Sequence, residues 1–130
     1  MNISKEDLKK KFGKKILNNE KLSNYSWFNL GGPAEILFKP DSLEDIQFFL
    51  KTLKPQKFIV LGAGSNTLIR DGGIKGITIK LSSSFSYIKL DSNNILEAGA
   101  ATLDRRVANF AMENSLTGLE FLACVPGSIG

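Results

Sequence analysis

The chain has 130 residues, no histidine, one cysteine and a formal net charge of +4, with 42% hydrophobic and 23% charged residues. Without imidazole there is no Ser-His-Asp relay and no ordinary zinc site, and no apolar run nears the ~20 residues of a membrane span. A lone thiol, Cys124, closes no internal disulfide and fits a reducing cytoplasm.

A domain of this length buries roughly two-thirds of its unfolded surface, enough for a core. Ser4 with Asp7 resembles an N-cap pair, and Leu8, Phe12 and Ile16 follow at four-residue spacing, which predicts an amphipathic helix over residues 4–18. Lys5, Lys9, Lys10, Lys11, Lys14 and Lys15 read as its solvated face, not as a nucleic-acid patch. The N-terminal residues lack an apolar h-region, so no secretory leader is expected. A polar loop then runs to Gly31-Gly-Pro33, where both glycines read as packing the first strand against its neighbour.

Residues 34–38 form a short predicted strand closed by Pro40. Asp41 or Ser42 caps a second predicted helix with Leu43, Ile46, Phe49, Leu50 and Leu53 along one face. Strands are predicted at 58–61 and 76–81, and a hairpin at 85–90 and 95–99 turns through Asp91-Ser-Asn-Asn94. Thr102 is the expected N-cap of a third helix carrying Leu103, Val107, Phe110 and Ala111, ending near Asn114. This order gives an α+β layout with two lobes meeting near residues 82–84. Val125-Pro-Gly-Ser-Ile-Gly130 reads as a turn between elements. Either the chain is a fragment or this last loop is a free tail.

The chemistry concentrates in Leu61-Gly-Ala-Gly-Ser-Asn-Thr67, between two apolar strands. Glycines there let the backbone bend and let an anion approach main-chain N–H groups. The dinucleotide fingerprint G-x-G-x-x-G fails, because Thr67 stands at the third glycine and Gly72-Gly73 leaves no room for the required helix. A P-loop fails for want of Gly-Lys-Ser/Thr. A phosphate cradle of backbone N–H groups with Ser65 and Asn66 remains, against the plainer reading of a tight connection. The second Gly/Ser loop, Pro126-Gly-Ser-Ile-Gly130, makes convergence of two loops on one diphosphate an alternative. Arg70 and Asp71 read as a surface turn salt bridge, and Glu97 and Glu120 as unrelated acids.

Five blocks occur in an order that resembles the UDP-N-acetylenolpyruvoylglucosamine reductase family. They are Ser26-Trp-Phe-Asn-Leu-Gly-Gly-Pro-Ala-Glu35, Leu61-Gly-Ala-Gly-Ser-Asn-Thr-Leu-Ile69, Asp71-Gly-Gly-Ile-Lys-Gly76, Glu97-Ala-Gly-Ala100, and Gly118-Leu-Glu-Phe-Leu122 with Val125-Pro-Gly-Ser-Ile-Gly130. The resemblance implies a two-lobed α+β FAD-binding fold of the vanillyl-alcohol-oxidase (PCMH) type, here truncated. Residues 1–22 would be a lead-in, 23–82 the first FAD-binding lobe and 83–130 an incomplete second lobe.

On that resemblance Gly62, Ala63, Gly64, Ser65, Asn66 and Thr67 wrap the FAD diphosphate. Gly99 lies on a flavin-side strand, and Pro126, Gly127 and Ser128 begin the second cofactor loop. NADPH would reduce the flavin, which passes hydride to the enolpyruvyl double bond of UDP-N-acetylglucosamine enolpyruvate. The family's catalytic residues lie beyond Gly130, so none is assigned and the chain alone is expected to be inactive. A cytoplasmic monomer is expected, with a UDP-sugar and NADPH as partners of the complete enzyme and neither nucleic acid nor membrane. Cys124 stands where the family pattern has glycine and reads as a half-buried packing residue. The alternatives are another FAD-linked oxidoreductase of the same fold or a non-catalytic nucleotide-binding module.

Overall fold

The computed structural model describes residues 5–52 and 57–130; Ser4 and Leu53, expected in helices, lie outside them. Helix α1 spans Lys5–Phe12, not residues 4–18. Gly13 takes φ +55, the left-handed region that stops a helix, and a single 3-10 turn over Gly13–Lys15 leads into strand β1, Ile16–Lys21. Leu8, Phe12 and Ile16 are all buried in one cluster. The spacing therefore reports the core correctly, but Ile16 enters it from the first position of a strand.

Strand β2, Pro33–Phe38, pairs antiparallel with β1. Helix α2, Leu43–Thr52, starts at Ser42, whose Oγ accepts the Asp45 N–H at 3.2 Å. Its predicted apolar face is narrower than expected: Phe49 is buried, whereas Leu43 and Leu50 are exposed. Strands β3, Phe58–Val60, and β4, Ile74–Ile79, complete a four-stranded sheet of order β1-β2-β4-β3, with the β2–β4 and β4–β3 pairs parallel.

Alternation along β2 divides the core by sheet face. Ile36 and Phe38 join Leu8, Phe12, Phe49 and Ile79 under the two helices, with Phe38 stacked on Phe49 at 4.3 Å between centroids. Leu37 points the other way, to Leu22, Ala34, Leu61 and Ile69. Gly31 and Gly32 pack against the turn after the glycine loop, not against a neighbouring strand. A Cβ on Gly32 would lie 1.9 Å from the Asp71 carbonyl oxygen, and the Gly32 N–H donates to the Arg70 carbonyl at 3.0 Å.

Strands β5, Ile88–Leu90, and β6, Leu96–Ala98, form the expected hairpin, shorter than predicted because Phe85 belongs to a 3-10 turn. The Asp91 carboxylate closes its turn by accepting the N–H groups of Asn93 and Ile95, each at 2.8 Å. Helix α3, Asp104–Glu113, has no side-chain cap. Thr102 is fully buried and donates its hydroxyl to the Tyr87 carbonyl at 3.0 Å, so it ties the helix entry to the hairpin. A 3-10 segment, Glu120–Cys124, packs on α3.

Candidate functional site

Parallel strands β3 and β4 end side by side, and the glycine loop leaves from the first of them. Gly62 and Ala63, just past the C-terminal end of β3, line a cavity of about 460 Å³ together with Lys80, just past β4. Open sheets with parallel strands place ligands at this end. The N–H groups of Gly62, Ala63, Gly64, Ser65 and Asn66 meet no protein acceptor among the described residues. A run of main-chain donors facing away from other protein is an anion-binding arrangement.

The second glycine loop closes on the first. The Ser65 hydroxyl donates to the Pro126 carbonyl, and a Cβ on Gly62 would lie 3.4 Å from Ser128 Oγ. That second loop is not a free tail. Ser128 bridges Leu103 in antiparallel fashion, the Ile129 N–H donates to the Thr102 carbonyl at 3.0 Å, and the Gly130 N–H to the Ala100 carbonyl at 2.9 Å. Among the described residues Gly127 and Ser128 keep their own N–H groups without a protein acceptor.

The sequence-predicted residues divide as follows. Gly62, Ala63 and Ser128 line the cavity, while Pro126 and Gly127 line an adjoining one of about 320 Å³. Ser65 links the loops. Gly64 is buried and anchors the first loop, its carbonyl accepting the Trp27 N–H at 3.0 Å. Thr67 accepts the Ser26 hydroxyl on its carbonyl at 3.4 Å, and neither it nor Asn66 lines either cavity. Gly99 is held against the hairpin, where a Cβ would lie 2.2 Å from the Phe85 carbonyl oxygen; its neighbour Ala100 reaches the cavity instead.

Other expectations are corrected. Cys124 is exposed, on the wall of the smaller cavity, not half-buried. Arg70 and Asp71 form no ion pair among the described residues, and the Arg70 carbonyl instead accepts the N–H groups of Gly32 and Gly73 at 3.0 and 2.9 Å. Glu97 and Glu120, by contrast, are the unrelated acids expected: the first accepts the Tyr87 hydroxyl at 2.9 Å and the second the Gly118 N–H at 2.8 Å.

Among the cavity residues that escaped the sequence reading are Trp27 and Lys80. Trp27 shares both cavities with Leu103. Lys80 donates from Nζ to the Gly62 carbonyl at 2.5 Å; burial first, then the Lys39 charge, hold its ammonium below the ordinary lysine value. The signal for Lys80 was its position, a cation directly after an apolar strand ending beside a glycine loop.

A family model described as an FAD binding domain matches residues 34–130, which takes in the glycine loop, the cavity and the closing loop. The chain belongs to this FAD-binding domain family. Its fold is accordingly the α+β FAD-binding type expected from the sequence. The FAD-binding chain is 42% identical to the UDP-N-acetylenolpyruvoylglucosamine reductase of Pelagibacter ubique (strain HTCC1062), with 98% of it aligned to 44% of that protein. The reductase of the same name from Wolbachia sp. subsp. Brugia malayi (strain TRS) is 49% identical over 84% of this chain and 37% of its own length. The crystal structure of UDP-N-acetylenolpyruvylglucosamine reductase (MurB) from Thermus caldophilus superposes with a TM-score of 0.71 at 29% identity, covering 88% of this chain and 39% of that one. The resemblance read from the sequence is borne out. The chain spans less than half the length of these relatives.

Proposed function

We propose that this chain supplies the FAD-binding part of a reductase that uses NADPH to convert UDP-N-acetylglucosamine enolpyruvate to UDP-N-acetylmuramate, a cytoplasmic step of peptidoglycan precursor synthesis. The observation that carries it is the meeting of two glycine loops at one cavity. Both offer main-chain N–H groups without protein acceptors among the described residues, in a chain of the FAD-binding family with reductase relatives.

The residues fit the diphosphate of such a cofactor. Gly62, Ala63, Gly64, Ser65 and Asn66 would donate backbone N–H groups to phosphate oxygens, as would Gly127 and Ser128 from the facing loop. The Ser128 hydroxyl is a further donor, and Thr67, Gly99 and Pro126 act by shaping the loops. Bound FAD would supply hydride relay between NADPH and the enolpyruvyl double bond. This chain's residues orient the cofactor and keep water from its phosphates; no side chain here is assigned to proton transfer. Lobes at 23–82 and 83–130, a monomeric state and a UDP-sugar partner in the complete enzyme belong to the same reading. Among the described residues no helix is long and apolar enough to cross a membrane.

Titration of the purified chain with FAD, followed by flavin fluorescence with circular dichroism on the same sample, tests the reading. Saturable quenching by a folded chain is expected. A folded chain that ignores FAD would overturn it and favour a different nucleotide module.

A further inference from the structure

Two lysines sit side by side at the end of the sheet, and one of them, Lys80, lines the cavity. Phe38 of β2 and Ile79 of β4 are register partners, and Lys39 and Lys80 are the next residue along each strand. The Lys80 N–H donates to the Phe38 carbonyl at 2.9 Å, which keeps the two backbones in step past that pair. Both ammonium groups lie over one ring, that of Tyr25, with Nζ 5.4 Å from its centroid for Lys39 and 5.8 Å for Lys80.

Like charges opposite one another on neighbouring strands are unfavourable, and the Tyr25 ring face offsets only part of this. Among the described residues neither lysine forms an ion pair. Glu20 accepts the Tyr25 hydroxyl at 3.1 Å, and among the described residues it forms no ion pair either. An ammonium has three N–H donors. Lys80 gives one to the Gly62 carbonyl, at the root of the glycine loop, and it lines the cavity with Gly62 and Ser128. Its remaining donors suit an anion in the cavity.

We propose that Lys80, with Lys39 beside it, is the cationic contact for the phosphates of the cofactor in this cavity. The backbone N–H groups of the two loops then supply shape, and the lysine pair supplies the charge. The assignment rests on the flavin reading above for the identity of the ligand, though the geometry itself asks only for a phosphate-bearing anion. Lys80 is a positioning residue as well, since the same ammonium holds the Gly62 carbonyl away from the phosphates.

The test is calorimetric titration of the wild-type chain, Lys80→Gln and Lys80→Arg with FAD, inorganic pyrophosphate and riboflavin at two ionic strengths. Glutamine keeps a donor for the Gly62 carbonyl but no charge, so a mere brace would survive it. FAD and pyrophosphate are expected to bind Lys80→Gln about tenfold more weakly and with a shallower salt dependence. Lys80→Arg should restore most of the affinity, and riboflavin, which has no phosphate, should not distinguish the variants.

If Lys80→Gln binds FAD and pyrophosphate as the wild type does, the proposal is overturned and the flavin reading stands. If the wild type binds pyrophosphate through Lys80 but ignores FAD, the anion site stands and the flavin reading falls. Binding of neither overturns both. A measurement on the wild type alone covers the case of a variant that fails to fold. Pyrophosphate should protect the Lys80 amine from acylation in a mass-spectrometric footprint, and unchanged labelling at saturation overturns the proposal.

Discussion

Gly62 and Gly64 stand two residues apart in one loop, yet their requirements differ. Gly64 has φ +69, and a Cβ there would lie 2.0 Å from the Tyr25 carbonyl oxygen. Gly64→Ala is expected to cost more than about 2 kcal/mol in a urea melt, from left-handed strain plus collision with fixed backbone. Gly62 has no such strain, and its Cβ would meet only Ser128 Oγ at ordinary contact distance. Gly62→Ala should keep stability within about 0.5 kcal/mol while weakening FAD binding, because the methyl projects where the two loops meet. Equal stability losses in the two variants would refute that division. Thr78, fully buried in β4, leaves its Oγ1 without a partner among the described residues. Thr78→Val keeps the shape and removes the stranded hydroxyl, so its melting midpoint should rise, by about 1 kcal/mol in stability.

At the scale of elements, the sequence told what is buried better than what is helical. Leu8, Phe12 and Ile16 satisfy a helical period by coincidence of two elements, since the left-handed Gly13 lets the chain turn and re-present Ile16 to the same cluster. Strand β1 carries Asn18, Asn19 and Glu20, poor strand formers, and is held by its register with β2; nothing local announced it. Thr102 looked like a cap because capping and burial use the same hydroxyl. One cross-link fixes the α1–β1 turn to the start of α2: Lys15 bonds both Asp41 and Asp45. Burial alone would raise the Asp45 carboxyl, but bonds from Lys15 and the Asp41 backbone outweigh it and leave it below its ordinary value. Lys15 is raised by the same two carboxylates. The contribution of Asp45 is therefore complete above its unfolded pKa and lost as pH falls through the lower folded value. That of Lys15 is complete below its unfolded pKa and lost as pH rises through the higher folded one. Thermal melts across the acid range should show a smaller pH dependence for Asp45→Asn than for the wild type; parallel curves would exclude the clamp.

For the whole molecule, the glycine loops were legible because small residues cluster where backbone must serve a ligand. Their convergence was open in the sequence, since 61 residues separate Ser65 from Pro126. The side chains that complete the cavity, Trp27 and Lys80, come from segments whose local sequence has no special composition; only the topology brings them together. Ser65→Ala removes the one side-chain bond between the loops among the described residues, so FAD affinity should fall with little change in melting temperature. The order of the sheet has a consequence in time as well as in space. Strand β4, which holds β2 and β3 together, is the last of the four to be synthesised. At usual elongation rates about two to eight seconds pass between completion of β2 and of β4. Until then the apolar run Phe58-Ile59-Val60 has no strand to pair with, and a nascent chain paused before residue 74 would be the form most in need of a chaperone.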